Sequence, residues 1–167
     1  MLTGSLPMIR SLWSRPRQSS DRSRVKQEIE SPNEDEKAWI TSNLKVARSI
    51  VAAYGTGPRD TLDPGTLDEA LVAWANRPQK ERIEPNDLVN ALGIAFGQLL
   101  VETLGMKWMV ATDEQGADLA VHSMPGDILI FPTVAVAKRV ESGEAPFFKE
   151  LYAQMSADVA RIRRQVH

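Results

Sequence analysis

His122 is the residue most suited to acid–base chemistry in this chain, because the other histidine, His167, stands at the very end of the sequence, where chains fray. Asp118 precedes His122 by four residues, in a segment whose apolar residues recur with a period of two. Strand periodicity therefore places both side chains on one face. A carboxylate there could orient the imidazole, but no nucleophile motif accompanies the pair. His122 and Asp118 are accordingly weak catalytic candidates, and a structural or solvated histidine is the alternative interpretation.

Four side chains that could bind a metal ion fall around the same predicted hairpin. Their spacing matches no calcium-binding loop, and acidic residues are common in turns for reasons of backbone conformation and solubility. We therefore predict no metal site. The weak candidates are Asp113, Glu114, Asp118 and His122.

Sequence motifs for cofactors and nucleophiles are missing. The chain has no Cys, which excludes disulfides, thiolate zinc sites and cysteine nucleophiles. Gly55-Thr56-Gly57 is followed by Pro58, so the dinucleotide-binding fingerprint is incomplete, and no Walker motif, Gly-x-Ser-x-Gly elbow or His-Glu-x-x-His helix occurs. We expect no cofactor, and these absences favour a protein that is not an enzyme.

Charge divides the chain into an arm and a domain. Between residues 10 and 26, six basic residues stand against a single acid, Asp21, and an acidic block follows. Such a segment buries too little apolar surface to offset its ordering entropy. We predict a disordered charged arm over residues 1–33 and a single domain over 34–167.

The arm also has a functional interpretation. Ile9, Leu12 and Trp13 beside the arginines could form a short segment that binds RNA or a membrane surface. Contact with nucleic acid or an anionic membrane is therefore expected only through residues 10–26. No uninterrupted apolar run is long enough to cross a bilayer, so we predict no transmembrane segment and a cytoplasmic location.

Helical periodicity covers much of the domain. It predicts a first helix from Glu34 that ends at Gly55, a second that begins with a capping box at Thr66 and ends before Pro78, and a third from Pro85 to Gly105. Gly93 and Gly97 lie one turn apart on the third helix, where each lowers helix propensity. Another element should therefore pack closely there.

The periodicity then changes to that of strands. A strand over 107–112, a turn over 113–116 that ends at Gly116, and a returning strand over 117–122 predict a hairpin with Trp108 on its apolar side. Residues 127–131 are apolar at successive positions, which favours a third strand covered on both faces, although a simple meander would leave it at an edge.

Two helices complete the prediction. Pro132 opens one that stops at Gly143, and another begins near Pro146. The predicted fold is α+β, with a three-stranded antiparallel sheet and about five helices in the order ααα-βββ-αα.

Several motifs resemble a family of small uncharacterised bacterial proteins that is known only as a domain of unknown function. They are Leu92-Gly93-x-Ala95-Phe96-Gly97, Leu104-Gly105-Met106-Lys107-Trp108, Thr112 through Ala120, and Phe131-Pro132 through Glu144. The resemblance covers residues 91 to about 155. It implies a compact domain of this architecture, and it implies no activity, cofactor or catalytic residue.

The residues therefore favour a non-enzymatic cytoplasmic protein that binds another protein, as an adaptor or a toxin-neutralising partner. A small enzyme with its centre at His122 and Asp118 is the alternative, and nucleic-acid or membrane binding through the arm is a further one.

Overall fold

A computed structural model describes residues 28–55 and 61–166. The predictions for residues 1–27 lie outside this part of the chain. The described helices and strands follow one another as β1 Glu28–Glu30, α1 Glu34–Tyr54, α2 Pro64–Asn76, a short 3-10 helix Gln79–Glu81, α3 Pro85–Leu104, β2 Lys107–Asp113, β3 Gly116–Ser123, β4 Ile128–Ile130, α4 Pro132–Glu141 and α5 Phe148–Gln165.

The sheet has four antiparallel strands in the order β1-β2-β3-β4, so the prediction of three strands is wrong. The additional strand, β1, lies inside the predicted arm and pairs Ile29 with Ala111 of β2. Three residues with one apolar side chain carry almost no strand signal, and β1 is stabilised by its partner strand. The α+β class and the hairpin of β2 and β3 are confirmed.

β4 lies at the other edge of the sheet, as a meander requires. Ile128 is buried there, while Leu129 and Ile130, which point to opposite faces, are partly buried, so the predicted cover on both faces is only partial. The strand has only three residues, and short edge strands expose little unpaired backbone.

Local capping fixes the ends of the first two helices. At the start of α1, Glu36 N–H donates to Asn33 Oδ1 and Asn33 N–H donates to Glu36 Oε1, both at 2.8 Å. In α2 the cap is Asp63, whose Oδ1 accepts from Thr66 N–H at 2.8 Å. The predicted capping box at Thr66 is wrong, because Asp63 followed by Pro64 starts the helix earlier.

α3 is the central helix. It packs against α1 on one side and α4 on the other, and ten of its residues are buried. A Cβ built on Gly93 would lie 2.8 Å from Thr133 Cα, and one built on Gly97 would lie 2.8 Å from Pro132 Cγ and against the Trp108 ring. The two glycines therefore let α4 and the sheet approach the backbone of α3.

By length and composition, α3 is also the one described helix that could cross a membrane. The buried helix at the centre of a folded core passes the same test, and α3 holds that position here.

A tertiary contact fixes the start of α5. The buried carboxylate of Asp68, on α2, accepts from the backbone N–H groups of Phe147 at 2.9 Å, Phe148 at 2.7 Å and Lys149 at 3.1 Å. These donors belong to the first turn of α5, where no helical carbonyl reaches them and where a negative charge is favoured. Asp68 thus caps a helix that lies about eighty residues further along the chain.

Candidate functional site

His122 and Asp118, the weak catalytic candidates, do not form a pair. Both residues lie on β3 and on the same face, but a strand rises by about 3.3 Å per residue, so four residues separate them by about 13 Å. A shared face of one strand does not bring side chains four positions apart into hydrogen-bond reach. Asp118 therefore cannot orient the His122 imidazole.

His122 is paired with Asp127 instead. Its Nε2 lies 2.6 Å from Asp127 Oδ1, with 19% of the His122 side chain exposed and 77% of the Asp127 side chain exposed. Asp127 precedes β4, and its φ of 49° lies in the left-handed region that Asp tolerates better than most residues. The pair is held by a solvent-facing turn, where ion pairs contribute little free energy.

Sequence reasoning missed Asp127 because the pairing arises from the turn between β3 and β4. The register places His122 opposite Leu129, so the intervening loop folds back over the end of β3. Pro125-Gly126 is typical of a turn, but which later residue comes to lie beside His122 depends on the exact register of β4.

The metal candidates do not converge. Asp113 and Glu114 stand at the hairpin turn, whereas His122 pairs with Lys107 at the opposite end of the strands. Six residues of strand, or about 20 Å, separate Asp113 from that end. Within residues 28–55 and 61–166, no group of three His, Cys, Asp or Glu side chains could hold a metal ion.

The remaining residues singled out from the sequence occupy structural positions. Gly116 and Gly143 have φ values of 126° and 78°, which favour glycine at the hairpin turn and after α4. Trp108 Nε1–H donates to Gln98 Oε1 at 2.9 Å while its ring packs on α3. Pro132 occupies the first turn of α4.

A largely apolar groove runs between α1 and the start of α3, and sequence reasoning missed it. It encloses about 510 Å³. Polar side chains stand among its lining as well, which is a common composition for ligand and peptide sites. The groove is lined by Asn43, Val46, Ser49, Ile50, Ala53, Tyr54, Arg77, Ile83 and Asp87.

Val46 is the clearest sign that the groove is open. It is 40% exposed although it is a large apolar residue, whereas its neighbour Ile50 is buried. A signal existed in the sequence, because Val46 interrupts the polar face of α1, but a single exposed valine is common on helices.

Arg77 holds one end of the groove. Its guanidinium carbon lies 4.2 Å from the centre of the Tyr54 ring, and its Nη2 donates to Ala53 O at 3.2 Å. These contacts join the end of α2 to the end of α1. The tyrosine face and the stem of the arginine thus form a fixed wall.

A second cavity, of about 460 Å³, lies between the end of α4 and the start of α5. Arg139 and Glu144 line it, with Arg139 Nε 3.8 Å from Glu144 Oε2. Both side chains are partly exposed, and the loop that carries Glu144 forms one wall. The pair closes that loop onto α4, and the lining of this cavity contains the carboxylates of Glu144 and Glu150 but no His, Cys, Ser, Thr or Tyr.

The family model of a domain of unknown function, DUF3806, matches residues 69–152, just over half of the chain. The chain belongs to the DUF3806 family. The match begins in α2 and ends in α5, so it extends further towards the N-terminus than the resemblance over residues 91–155 implied. No curated protein and no solved structure matches the chain significantly.

The DUF3806 segment includes His122, Asp127 and one wall of the groove. Arg77, Ile83 and Asp87 fall inside it, whereas Val46 and Tyr54 on α1 fall outside. The groove therefore joins the family domain to a helix that the family model does not cover.

Proposed function

We propose that this DUF3806 protein is a non-enzymatic cytoplasmic protein that binds a protein partner, and that the groove between α1 and α3 is its contact surface. The observation that carries the proposal is the open apolar floor of the groove, where Val46 is 40% exposed beside Ile50 and Ile83. Burial of such a surface by a partner is favourable by roughly 25 cal/mol per Å² of apolar area.

The walls of the groove favour a helical partner. They consist of side chains from α1 and from the segment that enters α3, so no unpaired strand edge is available for an added strand. An amphipathic helix places apolar residues three and four positions apart, and this spacing fits a groove between two helices. Arg77 and Asp87 at the rim offer one charge of each sign for orientation.

The enzymatic alternative was based on Asp118 as the carboxylate that orients the His122 imidazole. His122 and Asp118 are about 13 Å apart along the strand, and the observed pair with Asp127 stands on a solvent-facing turn. An oriented imidazole still needs a substrate pocket and a group to activate. Neither of the two cavities described above has His122 in its lining.

Exchange of Val46 for Glu tests the proposal. Val46→Glu places a charge in the apolar floor at an exposed helical position, so the fold should be retained while a bound apolar helix would be expelled. Met124→Glu is the matched control, since Met124 is another exposed apolar residue, at 67%, and lies outside the groove lining.

The assay is affinity purification from the native host, followed by titration of the recovered partner against each purified variant. We expect wild type and Met124→Glu to bind it alike and Val46→Glu to weaken binding at least tenfold, or about 1.4 kcal/mol. Equal binding by all three proteins would refute the groove as the contact surface.

A further inference from the structure

The two faces of the sheet differ in what packs on them. Side chains of Trp108, Val110, Leu119, Val121 and Ile128 point to one face, the inner face, and belong to the hydrophobic clusters that join the sheet to the helices. Strand pairing places Ile29, Met109, Ala111, Ala120 and Leu129 on the opposite, outer face. No member of these clusters comes from the outer face.

The outer face is nevertheless apolar and largely buried. Ala111 is 3% exposed and Ala120 is 0% exposed, and Ile29, Met109 and Leu129 are partly buried. Alanine side chains are too short to cover one another across a sheet, so a buried pair of alanines at the centre of a face indicates that other atoms cover it. Two alanines between larger residues also form a shallow depression that a large side chain could fill.

The chain itself supplies the occupant. β1 runs antiparallel to β2 with Glu28 opposite Thr112, so the residues before Glu28 leave the sheet beside the hairpin turn. The sheet is about 15 Å wide, and 27 extended residues reach up to about 90 Å. The segment therefore starts at the correct edge and is long enough to cross the outer face.

The composition of the segment fits the face. It contains Ile9, Leu12 and Trp13, which are apolar, and six basic residues against one acid between residues 10 and 26. The outer face carries the carboxylate of Asp118, and Asp113 and Glu114 stand at the turn where the segment arrives. The end of the outer face near the hairpin turn is thus acidic, with Lys107 at the opposite end, and this end is complementary to a segment that combines apolar and basic residues.

We propose that residues 1–27 dock on the outer face of the sheet, with the Ile9–Trp13 cluster over Ala111 and Ala120. This inference is independent of the groove between α1 and α3. A docked segment differs from a solvated tail because the outer face provides the apolar contact area that the segment lacks by itself. It also means that the outer face is occupied within the chain and is not free for an external partner.

A paramagnetic label tests the docking in the full chain. The chain has no Cys, so Ser14→Cys gives a single attachment site for a nitroxide next to Trp13. We expect the label to broaden the methyl NMR signals of Met109, Ala111 and Ala120, and reduction of the nitroxide to restore them. The same label at Ser49→Cys, on the exposed surface of α1, is the control and should broaden these signals less than the label at residue 14 does.

Mixing experiments distinguish docking within one chain from docking between two copies of the chain. Spin-labelled protein at natural isotopic abundance is mixed with unlabelled, isotopically enriched protein, and docking within one chain predicts no broadening in the mixture. Broadening in the mixture would overturn the proposal in favour of a second copy. Unaffected methyl signals would also overturn it, and binding of the labelled chain to phosphatidylserine vesicles or to RNA would then identify an external partner for the segment.

Discussion

Removal of the Asp68 carboxylate should destabilise the fold more than removal of an ordinary helix cap. Asp68 is buried, and its two oxygens accept three backbone N–H groups from the first turn of α5. In Asp68→Ala these donors lose their acceptor, and those of Phe147 and Phe148 are fully buried. Water cannot replace the lost partner at such positions without an opening of the structure.

The expected loss of stability follows from the number of N–H donors that are left without an acceptor. A buried donor without an acceptor costs about 1–3 kcal/mol, so two of them, together with the partly buried third, give a loss of about 3–5 kcal/mol. A chain of this length loses about 2–4 °C of melting temperature per kcal/mol. We therefore expect Asp68→Ala to lower the melting temperature by roughly 10 °C.

Asp68→Asn should have an intermediate effect. An amide keeps one carbonyl oxygen, which can accept from Phe147 and Phe148 as Oδ1 does now, but its NH2 group would face the Lys149 N–H. The loss of one acceptor and of the negative charge at the helix N-terminus should cost about 1–2 kcal/mol.

Asp63→Ala is the matched control, because Asp63 lies at the start of the same helix, α2, and caps it locally. Its loss should cost about 1 kcal/mol, as is typical of an N-cap at the surface. Urea denaturation followed by far-UV circular dichroism gives the free energies from the midpoint and slope. A cost for Asp68→Ala that is no larger than that for Asp63→Ala would refute the argument.

Two further substitutions, Gly93→Ala and His122→Ala, test the close packing on α3 and whether biological activity requires the His122 imidazole. Gly93→Ala should destabilise the protein by about 1–3 kcal/mol in urea denaturation, because the new Cβ would lie 2.8 Å from the Thr133 backbone. Gly65→Ala should cost much less, because its Cβ would lie 3.1 Å from the flexible end of Lys149 and 3.3 Å from the exposed Asp63 carboxylate, and because Ala favours the helix over Gly. Equal effects of the two changes would contradict close packing at Gly93. His122→Ala should shift the melting temperature little and leave complementation in the native host intact; a stable variant that fails to complement would favour the enzymatic alternative.

The helices were predictable where their signals are local. The apolar period of α1 ends at Gly55, and that of α3 is bounded by Pro85 and Gly105, which has a φ of 66°. α2 shows how two local signals compete: Thr66 starts a capping-box pattern, but Asp63 followed by Pro64 provides both a cap and a residue preorganised for the first turn. Local signals of this kind are read from a few adjacent residues.

The features that the sequence did not reveal all depend on how separate segments pair or pack. β1 exists because β2 offers it a partner, Asp68 acts on residues about eighty positions away, and His122 meets Asp127 because β4 returns in one particular register. A pattern within one segment contains no information about which segment will lie beside it. The groove belongs to the same class, since its two walls come from α1 and from the entry to α3.

The boundary of the family match bears on how far a function could be transferred. The DUF3806 segment, residues 69–152, contains the central helix α3 and the hairpin, whereas β1 and α1 lie outside it. Both surfaces proposed to make contacts combine the two parts: α1 forms a wall of the groove, and β1 forms one edge of the sheet whose outer face is the proposed docking surface. A DUF3806 segment that lacked α1 would lose Val46 and Tyr54 and with them half of the groove. Membership of the family therefore implies the shared scaffold, while both proposed contact surfaces include elements that lie before residue 69.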